Sequence, residues 1–249
     1  MPRFFVSATQ INQSHTALTG SEFHHLRHVL RLDVGDSLTL YDEHGREHHG
    51  TIISLSSTSA QISLIASSFP HAVAFSLTLA QGVLKGQKTD LVVEKATEIG
   101  VQRIVPFFSA FTVSQLPTDR RAERVARWQR LAQSAAKQSG SPVPYITSPH
   151  SFAELLAAIP DGVGKVLLYE KEQTLTLKAF ARTHPAFSSL CVAVGPEGGF
   201  AAEEVEQARA AGFQVVGLGT RILRAETAGI VAVALCRFLW GEGEIPPLL

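Results

Sequence analysis

The spacing of apolar and polar residues divides the chain into two parts. Between Phe4 and Ile65, apolar and polar residues alternate over short segments separated by polar turns, which predicts a small domain of the β-barrel type. The clearest predicted strands are Ser37–Tyr41, Gly50–Leu55 and Ala60–Ile65. One helix, Ser21–Arg31, interrupts them, because apolar residues recur there at the helical period. Its apolar face comprises Phe23, Leu26 and Leu30.

After Pro70, predicted strands alternate with predicted helices. The strands are Phe75–Leu79, Ile104–Phe108, Val166–Tyr169, Leu190–Val194 and Phe213–Leu218. The helices are Thr89–Ile99, Asp119–Ser139, Ala201–Ala211 and Thr227–Leu239. Alternation of this kind is typical of a layered α/β domain with a mainly parallel sheet. We therefore predict two domains, residues 1–70 and residues 71–249.

Two loops in the last third of the chain each follow an apolar strand and open a helix. The first is the glycine turn, Gly195-Pro-Glu-Gly-Gly-Phe200, and the second is the arginine-bearing segment Leu218–Ala228. Ligands of open α/β sheets bind outside the carboxyl ends of the strands, where glycine lets the backbone approach them. Glycines that only reverse the chain are the alternative interpretation. Neither loop has the dinucleotide or triphosphate glycine pattern, which disfavours those ligands.

Composition indicates a folded globular protein, since 45% of the residues are hydrophobic and 18% are charged. The sequence has no apolar run of membrane-spanning length and no secretory leader pattern, so we expect a cytoplasmic protein. Cys191 and Cys236 stand in apolar segments, and we expect them to be buried, reduced thiols. His24 and His28 share a helical face, but a third ligand is not evident, so no metal site is predicted.

The formal net charge is zero, so contacts to a polyanion must come from local basic patches rather than from an overall field. The clearest patch lies in the predicted helix that begins at Asp119. Its basic residues are Arg120, Arg121, Arg124, Arg127, Arg130 and Lys137. A solvated helix face is the alternative interpretation of this patch.

Several motifs besides the two loops carry a family resemblance. They are His24–Asp36, Lys85–Asp90, Glu94–Val101, Arg127–Arg130 and Gln138–Gly140. In this order they resemble the bacterial enzymes that methylate N3 of a uridine in 16S ribosomal RNA, a branch of the SPOUT methyltransferases, over nearly the whole chain. The resemblance implies a SPOUT-type parallel sheet with a C-terminal deep trefoil knot and a PUA-like N-terminal β-barrel domain. It also implies a homodimer, S-adenosylmethionine as the methyl donor, 16S ribosomal RNA or the small ribosomal subunit as the partner, and no metal.

The resemblance assigns the cofactor site mainly to backbone groups at three strand ends. The implied residues are Tyr169, Glu170, Gly195, Glu197, Gly198, Gly199, Leu218, Gly219, Ile222, Leu223 and Thr227. Arg224 is predicted to be catalytic, because a guanidinium beside O2 and O4 would stabilise the uridine anion. A phosphate contact or an intersubunit contact is the alternative role for Arg224. Glu226 is predicted to accept the N3 proton or to orient Arg224, and its alternative role is that of an acid that starts a helix.

RNA contacts are predicted at five basic residues, which are Arg27, Arg31, Lys95, Arg127 and Arg130. The chain departs from the family at Ser141, where many relatives carry arginine. Ribose 2′-O-methylation of RNA by the same fold is an alternative reaction. A non-catalytic RNA-binding assembly factor is an alternative of a different class. Cofactor binding and the identity of the modified nucleoside distinguish these three functions.

Overall fold

The computed structural model describes residues 1–12, 14–42, 46–68, 75–113 and 117–241. The chain divides into two compact units. The first comprises Met1–Ala72 and Ala136–Val143, and the second comprises Val73–Ala135 and Pro144–Leu249. The predicted boundary between residues 70 and 71 lies outside the described residues.

The first unit is built on one curled sheet. Its strands are β1 (Arg3–Phe5), β2 (His15–Thr19), β3 (Ser37–Tyr41), β4 (Glu47–Leu55) and β5 (Ser59–Ser68). They lie in the order β1-β3-β4-β5-β2, and every pair of neighbours is antiparallel except β1 and β3. Alternate residues point into a single core, where Phe4, Leu38 and Ile62 are fully buried. The three strands predicted from alternation are confirmed.

The helix predicted in this unit is confirmed only in part. An α-helix, α1 (Gly20–His24), continues as one π-helical turn at His25–Val29. Phe23 and Leu26 are buried as predicted, but Leu30 is 41% exposed. The prediction for Leu30 was wrong because the wider π turn shifts the residues that follow it around the helix axis.

The second unit contains a sheet of seven strands. They are β6 (Ser76–Gly82), β7 (Arg103–Phe108), β8 (Tyr145–Ile146), β9 (His150–Ser151), β10 (Gly164–Leu168), β11 (Ser189–Val194) and β12 (Gln214–Val216). The order is β12-β10-β11-β6-β7-β8, with β9 also paired to β7, and all pairings are parallel. The central strands are almost continuously apolar, which is typical of strands covered on both faces. The predicted α/β class with a mainly parallel sheet is confirmed.

The remaining helices are α2 (Lys88–Glu98), α3 (Thr118–Ser139), α4 (Phe152–Ala158), α5 (Leu177–Thr183), α6 (Ala202–Ala210) and α7 (Ala225–Trp240). Sequence analysis predicted α2, α3, α6 and α7 to within two residues at each end. It missed α4 and α5, although each begins with a capping side chain. Ser151 accepts the Glu154 N–H, and Thr176 accepts the Ala179 N–H.

The core of the second unit lies between the sheet and its helices. Phe107, Phe152 and Phe200 pack their rings against one another, with centroids 5.4 to 6.0 Å apart. Cys191 and Cys236 are buried free thiols, as predicted, and burial raises the pKa of each to about 12. Among the helices in the described ranges, none is both long and apolar enough to cross a bilayer.

Candidate functional site

A crevice of about 520 Å³ opens at the carboxyl ends of β10, β11 and β12. Its volume lies within the range of about 300–1,000 Å³ that is usual for sites of small ligands and cofactors. The walls are formed by the ends of these strands, by the glycine turn and by residues 218–228. The two loops predicted from sequence therefore line one crevice.

The glycine turn requires glycine at two of its positions. Gly199 has a φ of +71°, in the left-handed region that favours glycine, and its N–H donates to the Pro196 carbonyl at 2.9 Å. A Cβ on Gly198 would lie 2.6 Å from the Cβ of Phe111. A side chain at Gly198 would therefore displace either the turn or the segment behind it.

The carboxyl end of β6 packs directly against the glycine turn. A Cβ on Gly82 would lie 2.5 Å from the backbone nitrogen of Pro196, so glycine allows the strand to run directly against the turn. The buried Gln81 donates from Nε2 to the carbonyls of Gly195, at 3.4 Å, and Gly82, at 3.2 Å. Sequence analysis missed both residues, because Gln81 lies 114 positions before Gly195 and the surrounding pattern is that of an ordinary apolar strand.

Residues 218–224 connect β12 to α7 and form another wall of the crevice. Within the described chain, the N–H and C=O groups of residues 218–223 make no hydrogen bond to another backbone group. The residue before them is fixed, since the Gly217 N–H donates to the Leu175 carbonyl and the Gly217 carbonyl accepts the Leu177 N–H. Residues 219–222 are exposed, so their backbone groups are open to solvent or to a ligand. This wall therefore suits a ligand that is bound through main-chain hydrogen bonds.

Three charged side chains meet at the crevice. Lys88 Nζ lies 3.1 Å from Glu197 Oε1 and 3.6 Å from Glu226 Oε2. Burial by itself raises the pKa of Glu197, but hydrogen bonds from its own backbone, from the Lys85 N–H and from Lys88 outweigh burial and hold this pKa below its usual value. Sequence analysis gave Lys88 no role, although the motif Lys85–Asp90 that contains it contributed to the family resemblance.

Both residues predicted to be catalytic line the same crevice. Arg224 occupies the N-cap position of α7, and its side chain is exposed. Glu226 follows in the first turn of α7, where the helix dipole favours a carboxylate, and its side chain is 12% exposed. A guanidinium and a carboxylate thus reach the crevice from one helix start.

The predicted cofactor residues also line the crevice, with the exception of Thr227. Thr227 lies in the first turn of α7 and is exposed, but it is not part of the crevice wall. The reason is geometric: at about 100° per residue, Ala225, Glu226 and Ala228 lie on one side of the helix, and Thr227 lies on the opposite side.

Lys95 and Arg130, which were predicted to contact RNA, lie outside the crevice wall. Lys95 Nζ lies 2.8 Å from an oxygen of Glu94 and 2.8 Å from an oxygen of Glu98. Hydrogen bonds to Glu94, which has the larger effect, and to Glu98 raise the pKa of Lys95 to about 12. Arg130 is exposed on α3. Both cations are placed on the surface of the second unit.

Arg127, also predicted to contact RNA, is part of a polar link between α2 and α3. Its Nε donates to Asp90 Oδ2 at 2.9 Å, and the indole N–H of Trp128 donates to Asp90 Oδ1 at 2.9 Å. Asp90 and Trp128 are buried, whereas the Arg127 side chain is 46% exposed. Arg127 therefore has a structural role in addition to any contact it makes through its exposed edge.

The candidate residues of the first unit lie around the π-helical turn. Arg27 Nη1 lies 3.6 Å from Asp33 Oδ2, and Arg31 adopts a positive φ of 56°. The rings of His24 and His28 are in contact, with centroids 4.8 Å apart. Across the part of the chain that the structure describes, no three His, Cys, Asp or Glu side chains form a group that could hold a metal ion.

Comparison with known proteins gives consistent results for both units. A family model described as an RNA methyltransferase domain matches residues 72–237, and one described as an RNA methyltransferase PUA domain matches residues 18–65. The Bacillus subtilis protein named ribosomal RNA small subunit methyltransferase E is 32% identical over 243 residues, which cover 94% of this chain and 95% of that protein.

Solved structures agree with these matches. One similar structure is that of a ribosomal RNA small subunit methyltransferase E from Neisseria gonorrhoeae, which is described as bound to S-adenosyl methionine. Its TM-score is 0.83, and the two proteins are 32% identical over 96% of this chain and 98% of that chain. A probable rRNA-methyltransferase from Porphyromonas gingivalis has a TM-score of 0.81 and 29% identity over 96% of this chain and 98% of that chain.

Proposed function

This chain belongs to the ribosomal RNA small subunit methyltransferase E family, and we propose from this that it transfers a methyl group from S-adenosylmethionine to N3 of a uridine in 16S ribosomal RNA. The observation that carries the proposal is the crevice at the ends of β10, β11 and β12, which is lined by the glycine turn and by the backbone of residues 218–223. The relative from Neisseria gonorrhoeae, which matches nearly the whole chain, is described as bound to the same methyl donor.

The residues of the crevice fit this cofactor, which supplies an electrophilic methyl group on a positively charged sulfur. The backbone groups of residues 218–223, which bond to no other backbone group of the described chain, would hold its polar edges together with the glycine turn. Glu170 and Glu197 line the crevice, and their carboxylates favour a cationic ligand. Tyr169 adds an aromatic side chain to the wall at the end of β10. Glycine at positions 198 and 199 lets the turn pack closely against Phe111 and against the Glu170 carboxylate of the crevice wall.

Methylation at N3 requires removal of a proton and stabilisation of the negative charge that spreads onto O2 and O4. Arg224 supplies the positive charge for these oxygens, by the same physical effect as an oxyanion hole. Glu226 supplies an acceptor for the proton. Both reach the crevice from the start of α7, so one rigid helix positions them relative to the ligand.

A homodimer forms part of the proposal. On α7, Leu235 is 36% exposed and Phe238 is 84% exposed, and on the neighbouring α2, Leu91 is 41% exposed. Large apolar side chains exposed on adjoining helices are typical of a surface that a second subunit covers. Sedimentation at increasing protein concentration tests this part of the proposal.

The deep trefoil knot is also proposed. β12 lies at one edge of the parallel sheet, whereas α7, which follows it, packs against α2, β6 and β11. Residues 217–224 therefore lead the chain from the edge of the sheet back towards its middle. A return path of this kind supports a knotted arrangement of the C-terminal segment.

The PUA-like first unit is proposed to bind RNA, together with the basic surface of the second unit. The proposed contacts are Arg27, Arg31, Lys95, Arg127 and Arg130. The domain limits proposed for these roles are residues 1–70 and 71–249. A cytoplasmic location follows from ribosomal RNA, free or within the small subunit, as the substrate.

The experiment that tests the proposal has two stages. The purified protein is first titrated with S-adenosylmethionine by calorimetry. It is then incubated with the cofactor and with small-subunit RNA from a strain that lacks the enzyme, and the nucleosides are identified by mass spectrometry. We expect saturable binding and formation of N3-methyluridine. A methyl group on ribose would instead identify a 2′-O-methyltransferase, and RNA binding without cofactor binding would identify a non-catalytic assembly factor.

A further inference from the structure

We propose that Lys88 is a positioning residue, whose ammonium holds the Glu226 carboxylate in the crevice as the acceptor of the N3 proton. This inference rests on the proposed function, since it names a residue that serves the proposed reaction. It arises from three charged side chains that converge from separate parts of the second unit.

Lys88 joins three segments of the crevice wall. It is the first residue of α2, whereas Glu197 belongs to the glycine turn and Glu226 to the first turn of α7. One ammonium lies 3.1 Å from Glu197 Oε1 and 3.6 Å from Glu226 Oε2. The Lys88 side chain is 39% exposed, whereas the Glu226 side chain is 12% exposed.

The environment of Glu226 Oε2 points to a ligand donor. This oxygen is inaccessible to solvent and has no hydrogen-bond donor within the described part of the chain. A buried carboxylate oxygen without a hydrogen bond is costly even when a cation lies nearby, and such an atom in a native structure calls for an explanation. Because Oε2 has no solvent-accessible surface, the carboxylate must turn towards the crevice before a ligand N–H, such as the imide N–H of a uracil ring, can supply the missing donor.

The Lys88 ammonium contacts the two carboxylates at different distances and therefore interacts with them differently. Its hydrogen bond goes to Glu197, at 3.1 Å. At 3.6 Å from Glu226 Oε2 it balances negative charge but is too far away to occupy the oxygen with a hydrogen bond. The ammonium thereby holds the Glu226 carboxylate in place without donating a hydrogen bond to Oε2.

The step that this arrangement serves balances as follows. The N3–H bond breaks and its proton moves to a Glu226 oxygen. The nitrogen electron pair forms the bond to the methyl carbon, and the electrons of the carbon–sulfur bond return to sulfur, which becomes neutral. The Glu226 carboxylic acid then loses its proton to water. Lys88 exchanges no proton and acts only through the position of Glu226.

The first test compares Lys88→Met with Lys88→Arg. Lys88→Met removes the charge and keeps an unbranched side chain, and we expect kcat to fall by about 10- to 100-fold, because general-base catalysis contributes about 10²- to 10⁴-fold. The KM for RNA and the calorimetric Kd for S-adenosylmethionine should remain close to wild type. Lys88→Arg keeps the cation and should recover most of the lost kcat. Lys178→Met, which removes an exposed lysine of α5, is the matched control and should keep the wild-type kcat.

The second test is a double-mutant cycle with Glu226→Gln. If Lys88 acts through Glu226, adding Lys88→Met to Glu226→Gln causes no further loss of kcat, because no carboxylate is left to position. A crystal structure of Lys88→Met should in addition show the Glu226 side chain displaced from the crevice wall. Thermal melting of each variant shows whether it is folded, and Lys88→Gln replaces Lys88→Met if the latter is not.

Several outcomes would overturn the inference. A higher KM for RNA with an unchanged kcat would mean that Lys88 binds a phosphate. Multiplicative losses in the double variant, or a kcat of Lys88→Met equal to wild type, would separate Lys88 from Glu226. Failure of the wild-type protein to form N3-methyluridine would instead refute the proposed function, so the two failures are distinguishable.

Discussion

Replacing Gly82 with alanine tests how the end of β6 shapes the crevice. The added Cβ would lie 2.5 Å from the Pro196 nitrogen, 2.7 Å from the Pro196 Cδ and 2.9 Å from the Gly195 carbonyl carbon. Favourable contact between carbon atoms requires about 3.5–4.0 Å, so the glycine turn must move by about 1 Å. The atoms in the way belong to the backbone and to a proline ring, which cannot rotate aside as a flexible side chain would.

This displacement should act on cofactor binding more than on folding. Overpacking of a close-packed interior costs about 1–3 kcal/mol, and a shift of about 1 Å in a positioning group costs up to about 100-fold in function. We expect the Kd for S-adenosylmethionine to rise by about 30- to 100-fold, which corresponds to about 2–3 kcal/mol. The melting temperature should fall by about 2–12 °C, since an overpacking cost of about 1–3 kcal/mol corresponds to about 2–4 °C for each kcal/mol in a domain of this size.

Calorimetric titration of Gly82→Ala with S-adenosylmethionine measures the effect, and Gly162→Ala is the matched control. Gly162 has a φ of +86°, so alanine there strains the backbone, but its Cβ would meet no atom within 4 Å. Gly162 precedes the amino end of β10, whereas the crevice lies at the carboxyl end. The control should therefore lose stability and keep its Kd. A Gly82→Ala protein with the wild-type Kd would refute the steric reasoning.

Three further predictions follow from the site and the core. Arg224→Ala should lower the single-turnover rate of methylation far more than the calorimetric affinity for S-adenosylmethionine, because the arginine charge acts on the anion that develops during the reaction. Equal losses of rate and of affinity would contradict this role. Asp90→Ala should lower the free energy of unfolding in urea by about 3 kcal/mol, since two donors lose their acceptor, and an unchanged midpoint would argue against the link between α2 and α3. Cys191 and Cys236 should react with a thiol reagent only after unfolding, because burial raises the pKa of each to about 12; rapid reaction of the native protein would show that they are accessible.

Periodicity predicted those elements of the fold whose local pattern is strong. The strands around Leu190–Val194 and the long helices α3 and α7 have apolar residues at unambiguous spacing, and the structure has them where they were predicted. The helices α4 and α5 have seven residues each, too few for a period to be distinguished from chance. Their capping residues were the available signal. The exposure of Leu30 could not be foreseen, because nothing in the sequence marks a π-helical turn.

The candidate site was predictable to the extent that its signals are local. The glycine turn and the segment after β12 each combine a strand end, a glycine and a helix start within a dozen or so residues, and both line the crevice. Gln81, Gly82 and Lys88 have no such signal. Their contacts reach residues more than a hundred positions away, and only the order of the strands brings β6 and the start of α2 beside the glycine turn.

The nature of the crevice explains why its supports lie so far away in sequence. A wall that offers backbone N–H and C=O groups to a ligand has few side chains of its own to fix its shape. Its conformation must then be imposed from outside, by a strand end without a Cβ at Gly82 and by an amide at Gln81. Substitutions at these two positions should therefore alter ligand binding as strongly as substitutions in the loops themselves, although neither is a glycine-turn residue.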